Sequence, residues 1–570
     1  MTINTKYKTT KRDIYAQKSL ESVPRLLTLL DREPTSKTFG CFHRDYWLYK
    51  TSDFPDMVRQ FGALSLALVY RHQFPQSPYF GNLKIARWAA ASIDFWASQQ
   101  HTDGSFDEFY PYERGWVGPT AFTAYACAEA CQLLGDALPA TTKEAALNAI
   151  RKSATFICRG DRESDSLANH HAMACLAVWK AYELTGEDKF VQGFEERWRE
   201  FLTFHNRLEG WSREYDGIDP GYLSATVSFL AKVYKASPRR EILDVLTQSV
   251  QTCAYFARPD GDYAGNLGSR NTQHFYAHGF EVLARSIPLA GALAEHHLKG
   301  LAAGRVVPPE IMSDRYVFYR VPELLEAYLD YVPRTETLPK LPFEQSDFQH
   351  WLPDAGIYAT VRGRYYAIAN AAKGGVIKVF DRERNVSLLA DSGIVGRCTD
   401  GRAVTSQWID KNHQISLDDN GFSVQGHLQV IPSNKVFSLA KFIVFRMVLF
   451  LLGWNAGFCH FLKGKIRAAL ILKTKKAPIL FQRQVSVTES SITIDDKLTV
   501  EAPFDFSQLS FGGERFIRFV PQSRFFQKHE LADSGLELDA DALQRLNTKR
   551  KLHLRTTLVD GEVDARIMTD

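Results

Sequence analysis

The chain has 570 residues, of which 45% are hydrophobic, 24% charged and 12% aromatic. That balance excludes a disordered chain or a coiled coil, and the length predicts several domains or a few large repeat-built ones. Net charge is only +4, yet 420–488 holds ten Lys or Arg and no Asp or Glu, leaving 59 basic against 65 acidic residues elsewhere; this predicts a local anionic partner.

The first twenty residues, MTINTKYKTTKRDIYAQKSL, are polar and lack an apolar core, so no secretory signal is read and a cytoplasmic location is expected. From there to about residue 330, apolar residues recur at three and four positions, as in 56–72, 82–99, 143–158 and 190–205, which predicts helices joined by Gly, Asp and Pro loops. Four segments, AFTAYACAEACQLLG, NHHAMACLAVWKAYELTG, YLSATVSFLAKVYKAS and HFYAHGFEVLARSIP, stack on Ala124, Ala172, Ala225 and Ala277 at spacings of 48, 53 and 52 residues. Each interval holds two helices and two loops. The stacked helices are rich in small apolar residues and the intervening ones carry charge on one face, so an inner ring inside an outer ring is expected.

Three positions before the shared alanine stand Ala121, Asn169, Tyr222 and His274. On an inner ring, equivalent positions share one end of a central cleft, so Asn169, Tyr222 and His274 are candidate catalytic residues. His170 and His171 point about 100° apart on a helix, and His170 is taken as the cleft-facing one. Nearby loops add Arg270, Tyr215, Trp116, Arg114, Tyr110 and Tyr112, which suit an aromatic groove for sugar rings with cations for carboxylates or sulfates. Capping and core packing are ordinary alternatives for such residues. His274 and His278 form an HxxxH pair with no third ligand, so no metal is expected. Carboxylates in the same loops (Asp103, Asp107, Glu108; Glu214, Asp216, Asp219; Asp260, Asp262) leave acid/base glycoside hydrolysis open.

Four prolines in 331–353 mark a linker, after which the period changes to two in GIYATVRGRYYAIAN, VIKVFDRE, FSVQGHLQV, ILFQRQVSV and KLHLRTTLV. The expected organisation is α+β: an (α/α) incomplete toroid over 1–332, a linker over 333–355, and an antiparallel β-sandwich over 356–570 with a basic, apolar insertion at 436–476. FIVFRMVLFLLGWNAGF at 442–458 is too short and too interrupted for a span. It reads either as a helix or hairpin buried in the β domain or as a helix resting peripherally on an anionic membrane surface at its inner face. The basic segment is aliphatic, which excludes a nucleic-acid groove. Eight scattered cysteines without CxxC pairs read as buried thiols, and no Walker, GxGxxG or GxSxG motif is present.

NHH at Asn169, the Gly-Tyr start at Tyr222, RNTQHF at 270–275 and KGGVIKVFDRERNVSLLADSG at 373–393 together resemble the heparinase II/III-like polysaccharide lyases. The resemblance implies a toroid followed by a β-sandwich, and β-elimination on an acidic, uronate-containing polysaccharide in exopolysaccharide or capsule metabolism. It also implies that Asn169 and His170 neutralise the uronate carboxylate, that Tyr222 is base or acid, and that His274 assists. The family's β-domain histidine run has no counterpart in ANAAKGGVIKVFD, so neither zinc nor another cofactor is expected, and His413 or Arg397 is left as a stand-in. An inverting hydrolase using Asp216 or Asp219, or a non-catalytic glycan-binding protein at the membrane, are the alternatives.

Overall fold

The computed structural model describes residues 10–108, 116–159, 167–334, 337–432, 438–467, 474–501, 504–518, 525–531 and 535–568. Among these, six helices follow one another around a ring: Gly62–Arg71, Val117–Leu134, Ala168–Thr185, Pro220–Ala236, Ala277–Leu283 and Val317–Leu329, the last packing back on the first. Between them run outer helices such as Leu83–Ser98, Ala140–Cys158, Lys189–Leu202 and Arg240–Ala254. Inner helices are buried on nearly every side, which explains their Ala-rich, weakly amphipathic sequences. The outer Lys189–Leu202 instead buries Phe190, Phe194, Arg197, Trp198 and Phe201 and turns its other face to water.

Two of the expected boundaries shift. His274 does not begin a helix: its segment stays extended and the short helix starts at Ala277, so His274 and His278 do not share a helix face. The linker is also shorter than 333–355, because Phe348–Leu352 already pairs with Ile357–Arg362 as the first strand of a sheet.

That sheet is a five-stranded antiparallel meander running through Tyr365–Asn370, Val376–Asp381 and Val386–Asp391. A larger antiparallel sheet, centred on Gly421–Val430, Lys475–Val487, Ser491–Val500 and Lys551–Val559, covers it. Tyr358, Ala367, Ile377 and Val379 meet Phe422, Phe481 and Ile494 of the large sheet in one core. The opposite face of the small sheet, with Ile357, Val361, Tyr366, Ile368 and Phe380, belongs to the core of the toroid. Both faces are therefore buried. Arg483 bridges the two sheets, bonding Asp391 on one (2.7 Å) and Asp496 on the other (2.7 Å), all fully enclosed.

The insertion is a helical hairpin, Leu439–Leu452 and Ala456–Arg467. It is not sandwich core: Leu449 is buried, but Phe445 is only half-buried and Leu452 is exposed, so the buried-core expectation fails. No helix among the described residues is long and apolar enough to cross a membrane.

Candidate active site

The loops that lead into the inner helices supply most of one shared cavity wall, and the β domain reaches the nearby 266–271 loop through Asn370 and Lys373. The Pro220–Ala236 helix opens with Asp219 as its N-cap and Pro220 in its first turn, a sequence pre-set for a helix start. One Asp219 oxygen accepts the backbone N–H of Tyr222 (3.2 Å), and the other accepts those of Arg270 (2.9 Å) and Thr272 (3.4 Å). A fully buried carboxylate thus fixes Tyr222 relative to the Arg270 loop.

Asn169 stands in the first turn of the Ala168–Thr185 helix and meets Glu214, the last residue of the short strand Trp211–Glu214. Glu214 accepts the Asn169 backbone N–H at 2.6 Å and the side-chain amide at 2.9 Å on each oxygen. Burial pushes its carboxyl up to about 8, against the lowering effect of the Asn169 bonds. Gly118 faces the neighbouring histidine closely: a Cβ there would lie 2.4 Å from His170 Nδ1, so glycine lets the ring lie against the adjacent inner helix.

A cavity of about 70 Å³ brings Asn169, His170 and Tyr222 together and is lined as well by Tyr276, Tyr316 and Arg315. Burial raises the Tyr222 phenol well above its ordinary range, with Tyr215 and Tyr316 adding to the effect and Arg270 opposing it. His274 does not line this space; it is buried behind it, its ring 6.2 Å from that of Tyr316 and 6.3 Å from that of Tyr276. Arg270 lies over the Tyr215 ring at 4.7 Å, beside the cavity rather than in its wall. Trp116 is buried, its ring 5.2 Å from that of His460. Tyr110, Tyr112 and Arg114 lie outside the described residues. His171, the histidine not chosen, stacks on Phe204 at 4.4 Å, away from the cavity.

The carboxylates that kept hydrolysis open are already engaged. Asp216 pairs with Arg518 (2.5 Å), Asp262 with Arg258 (2.8 Å), Asp107 with His101 (2.8 Å), and Glu108 with Arg315, which also holds Asp56 (2.8 Å). Neither His413, bonded to the Ala372 carbonyl, nor the exposed Arg397 reaches the cavity wall. Two β-domain cations instead reach the toroid loops beside the cavity without lining it. Lys373 donates to the carbonyls of Asn266 (2.7 Å) and Gly268 (2.6 Å) and to Asn271, while burial brings it down to about 7. Arg518 sits over Trp408 at 4.5 Å and bonds Asp216.

His278, Glu323 and Glu326 are close enough together to share a cation, but the Lys232 ammonium already bonds His278 Nδ1 (2.5 Å) and Glu326. Its positive charge takes the role a metal would have there. Arg315, Tyr316, Tyr319 and Tyr276 escaped the sequence reading. The first three cluster at the start of the sixth inner helix, in DRYVFYRVPELL, an apolar-periodic run outside the four-fold stacking.

The chain thus combines a helical ring with a β-sandwich, and an amide, an imidazole and a phenol meet in one cavity of the ring. Residues 79–280 match the family described as ulvan lyase N-terminal domain. The fold is that of chondroitin AC lyase from Streptomyces coelicolor A3 in complex with chondroitin sulphate, at a TM-score of 0.54 and 10% identity over 98% of this chain and 86% of that one. A tyrosine-to-alanine variant of the same lyase aligns at a TM-score of 0.53, with 9% identity and the same coverage. A mutant of the heparan sulfate lyase HepC from Pedobacter heparinus aligns over 100% of this chain and 90% of its own, at 9% identity and a TM-score of 0.42, too low to add to the argument. No curated protein matches the chain. The family match is confined to residues 79–280, and the likeness to chondroitin AC lyase over 98% of the chain is one of fold.

Proposed function

We propose that the protein cleaves a uronate-containing acidic glycan by β-elimination, with Asn169 and His170 offsetting the uronate carboxylate, Tyr222 moving the proton and His274 supporting the aromatic wall from behind. The observation that carries this reading is the meeting of Asn169, His170 and Tyr222 in one cavity where Glu108, the one carboxylate among the described lining residues, is bound to Arg315. A C5 proton beside a carboxylate becomes acidic when that charge is offset, and amide and imidazole donors stabilise the resulting enolate. A phenol held protonated by burial suits delivery of a proton to the leaving oxygen; as base, it needs the substrate and nearby cations to lower its pKa. The hydrolase reading loses support because Asp216 and Asp219 are bound to Arg518 and to three backbone N–H groups.

The test is incubation with ulvan, chondroitin, heparan sulfate and bacterial capsular glycans, recording unsaturated-uronate absorbance together with new reducing ends. Both signals support elimination; reducing ends alone mean hydrolysis, and neither means binding without catalysis. Tyr222→Phe is expected to lower kcat by about 10²–10⁴-fold with KM little changed, because it removes a proton-transfer group and keeps the ring. Unchanged turnover excludes Tyr222 from proton transfer. The proposed setting is metabolism of a cell's own exopolysaccharide or capsule, at the inner face of its membrane.

A further inference from the structure

The helical hairpin at 439–467 is out of keeping with the rest of the surface. On its first helix Leu439, Phe442, Val444, Met447, Phe450 and Leu451 each expose half or more of their area, and Trp454 at the turn and Phe461 on the second helix do the same. A contiguous apolar face of this kind marks a place of interaction. Its underside is anchored: Leu449 and Cys459 are buried, Arg446 pairs with Asp53, and the His460 ring meets that of Trp116 at 5.2 Å.

Charge identifies the partner. The stretch 420–488 has no acid, and Lys441 and Lys465 on the hairpin, with Lys475 and Lys476 at its root, are all exposed. Acyl chains bounded by anionic headgroups complement apolar side chains bounded by cations. Length decides between crossing and resting. A helix of fourteen residues extends about 21 Å, short of the roughly 30 Å hydrocarbon core.

The anchors also place the hairpin beside the site. Trp116 immediately precedes the Val117–Leu134 helix, whose Gly118, Pro119 and Phe122 line the cavity. Asp53 lies between Ser52 and Phe54, which line a groove that shares Arg315 with the cavity. We propose that the hairpin seats the protein on an anionic bilayer surface with the cavity alongside that surface, so that it works on acidic glycan chains held at the membrane. The docking stands on the hairpin alone; the glycan clause rests on the lyase reading.

The test uses the full chain with sedimenting vesicles of phosphatidylcholine alone or with phosphatidylglycerol. Binding is expected to the anionic vesicles only, with at least a tenfold loss in 0.5 M salt. Phe442→Ser, Phe450→Ser and Leu451→Ser together should reduce binding at least tenfold, with melting temperature and turnover of free oligosaccharide unchanged. Lys441→Glu with Lys465→Glu, which leaves the apolar face intact, should also weaken binding. Absence of binding to anionic vesicles overturns the proposal. So does conversion of a dimer to a monomer by the serine variants with vesicle binding untouched, which would make a second copy the occupant. A rate on lipid-tethered acidic glycan no higher than on the free glycan, in a protein that does bind vesicles, overturns the placement of the cavity. A protein that binds vesicles but yields no unsaturated product on any glycan refutes the lyase reading and leaves docking standing.

Discussion

On the proposed reading, Glu214 controls what Asn169 offers a substrate, because it accepts both the backbone and the side-chain N–H of that residue. When the carboxyl keeps its proton, one oxygen is a hydroxyl, and the Asn169 amide needs to donate only to the other, leaving an N–H for a uronate carboxylate. When the proton is lost, both oxygens claim the amide and a second negative charge stands under the substrate's own. With its carboxyl raised from the ordinary value near 4.5 to about 8, Glu214 is protonated in the folded protein across neutral pH, while the unfolded chain would release that proton. The folded state therefore holds more protons over this interval. The stability from protonated Glu214 is complete below about pH 4.5 and is lost as pH rises through about 8. Asp219, the nearby acid, adds repulsion in the same direction, and His170 opposes it. Glu214→Gln fixes the neutral form. It should flatten this part of the Tm-against-pH curve and keep elimination active above pH 8, where the wild type declines; a parallel decline in both proteins would remove Glu214 from the explanation. Glu214→Ala, lacking the acceptor, should lose most activity at every pH.

At the scale of elements, the ion triad of Arg483, Asp391 and Asp496 joins the two sheets at a point where all three side chains are out of water. Removing the cation leaves two buried carboxylates facing each other, so Arg483→Met should cost about 3–5 kcal/mol in chemical denaturation. A loss under 1 kcal/mol would mean that water reaches the site when the arginine is absent. Lone motifs reveal little of this. The periodic helices and alternating strands were legible because each depends on local spacing: 140–158, 189–202, 421–430 and 551–559 can be read directly from their apolar patterns. Asn169 and Tyr222 were legible because the repeat kept them in register at helix starts. His274 was misplaced because the register assumed a full helix, where Asp219 and the Ser224 hydroxyl instead hold the segment before Ala277 extended, through Thr272 and Tyr276. Arg315, Tyr316 and Tyr319 reach the cavity only because the sixth inner helix closes onto the first, a long-range fact that no local spacing carries. The hairpin was legible in composition but not in placement, since an apolar run reads alike whether a sheet or a solvent-facing surface receives it.

At the scale of the whole molecule, the five-stranded sheet belongs to two cores at once. Its one face shares an apolar cluster with the large sheet, and its other face lies in the same cluster as the inner helices. Polar ties reinforce the second contact: Tyr366 donates to the Tyr255 carbonyl, Asn370 to that of Leu267 (2.7 Å), Asn266 to Ser392 (2.8 Å), and Lys373 to the Asn266 and Gly268 carbonyls. An interface built like a domain core couples the two halves, whereas a thin polar interface would let them open separately. Opening it would expose a largely apolar sheet face to water. The chain is therefore expected to melt in a single calorimetric transition, with calorimetric and van't Hoff enthalpies in agreement. Tyr366→Ala, which empties the interface side of that sheet, should lower the whole transition by about 3–5 kcal/mol without splitting it. Two resolved transitions in the wild type, one retaining helical circular dichroism after the sheet signal is gone, would show that toroid and sandwich are independent, and that the site loops keep their arrangement without the cap.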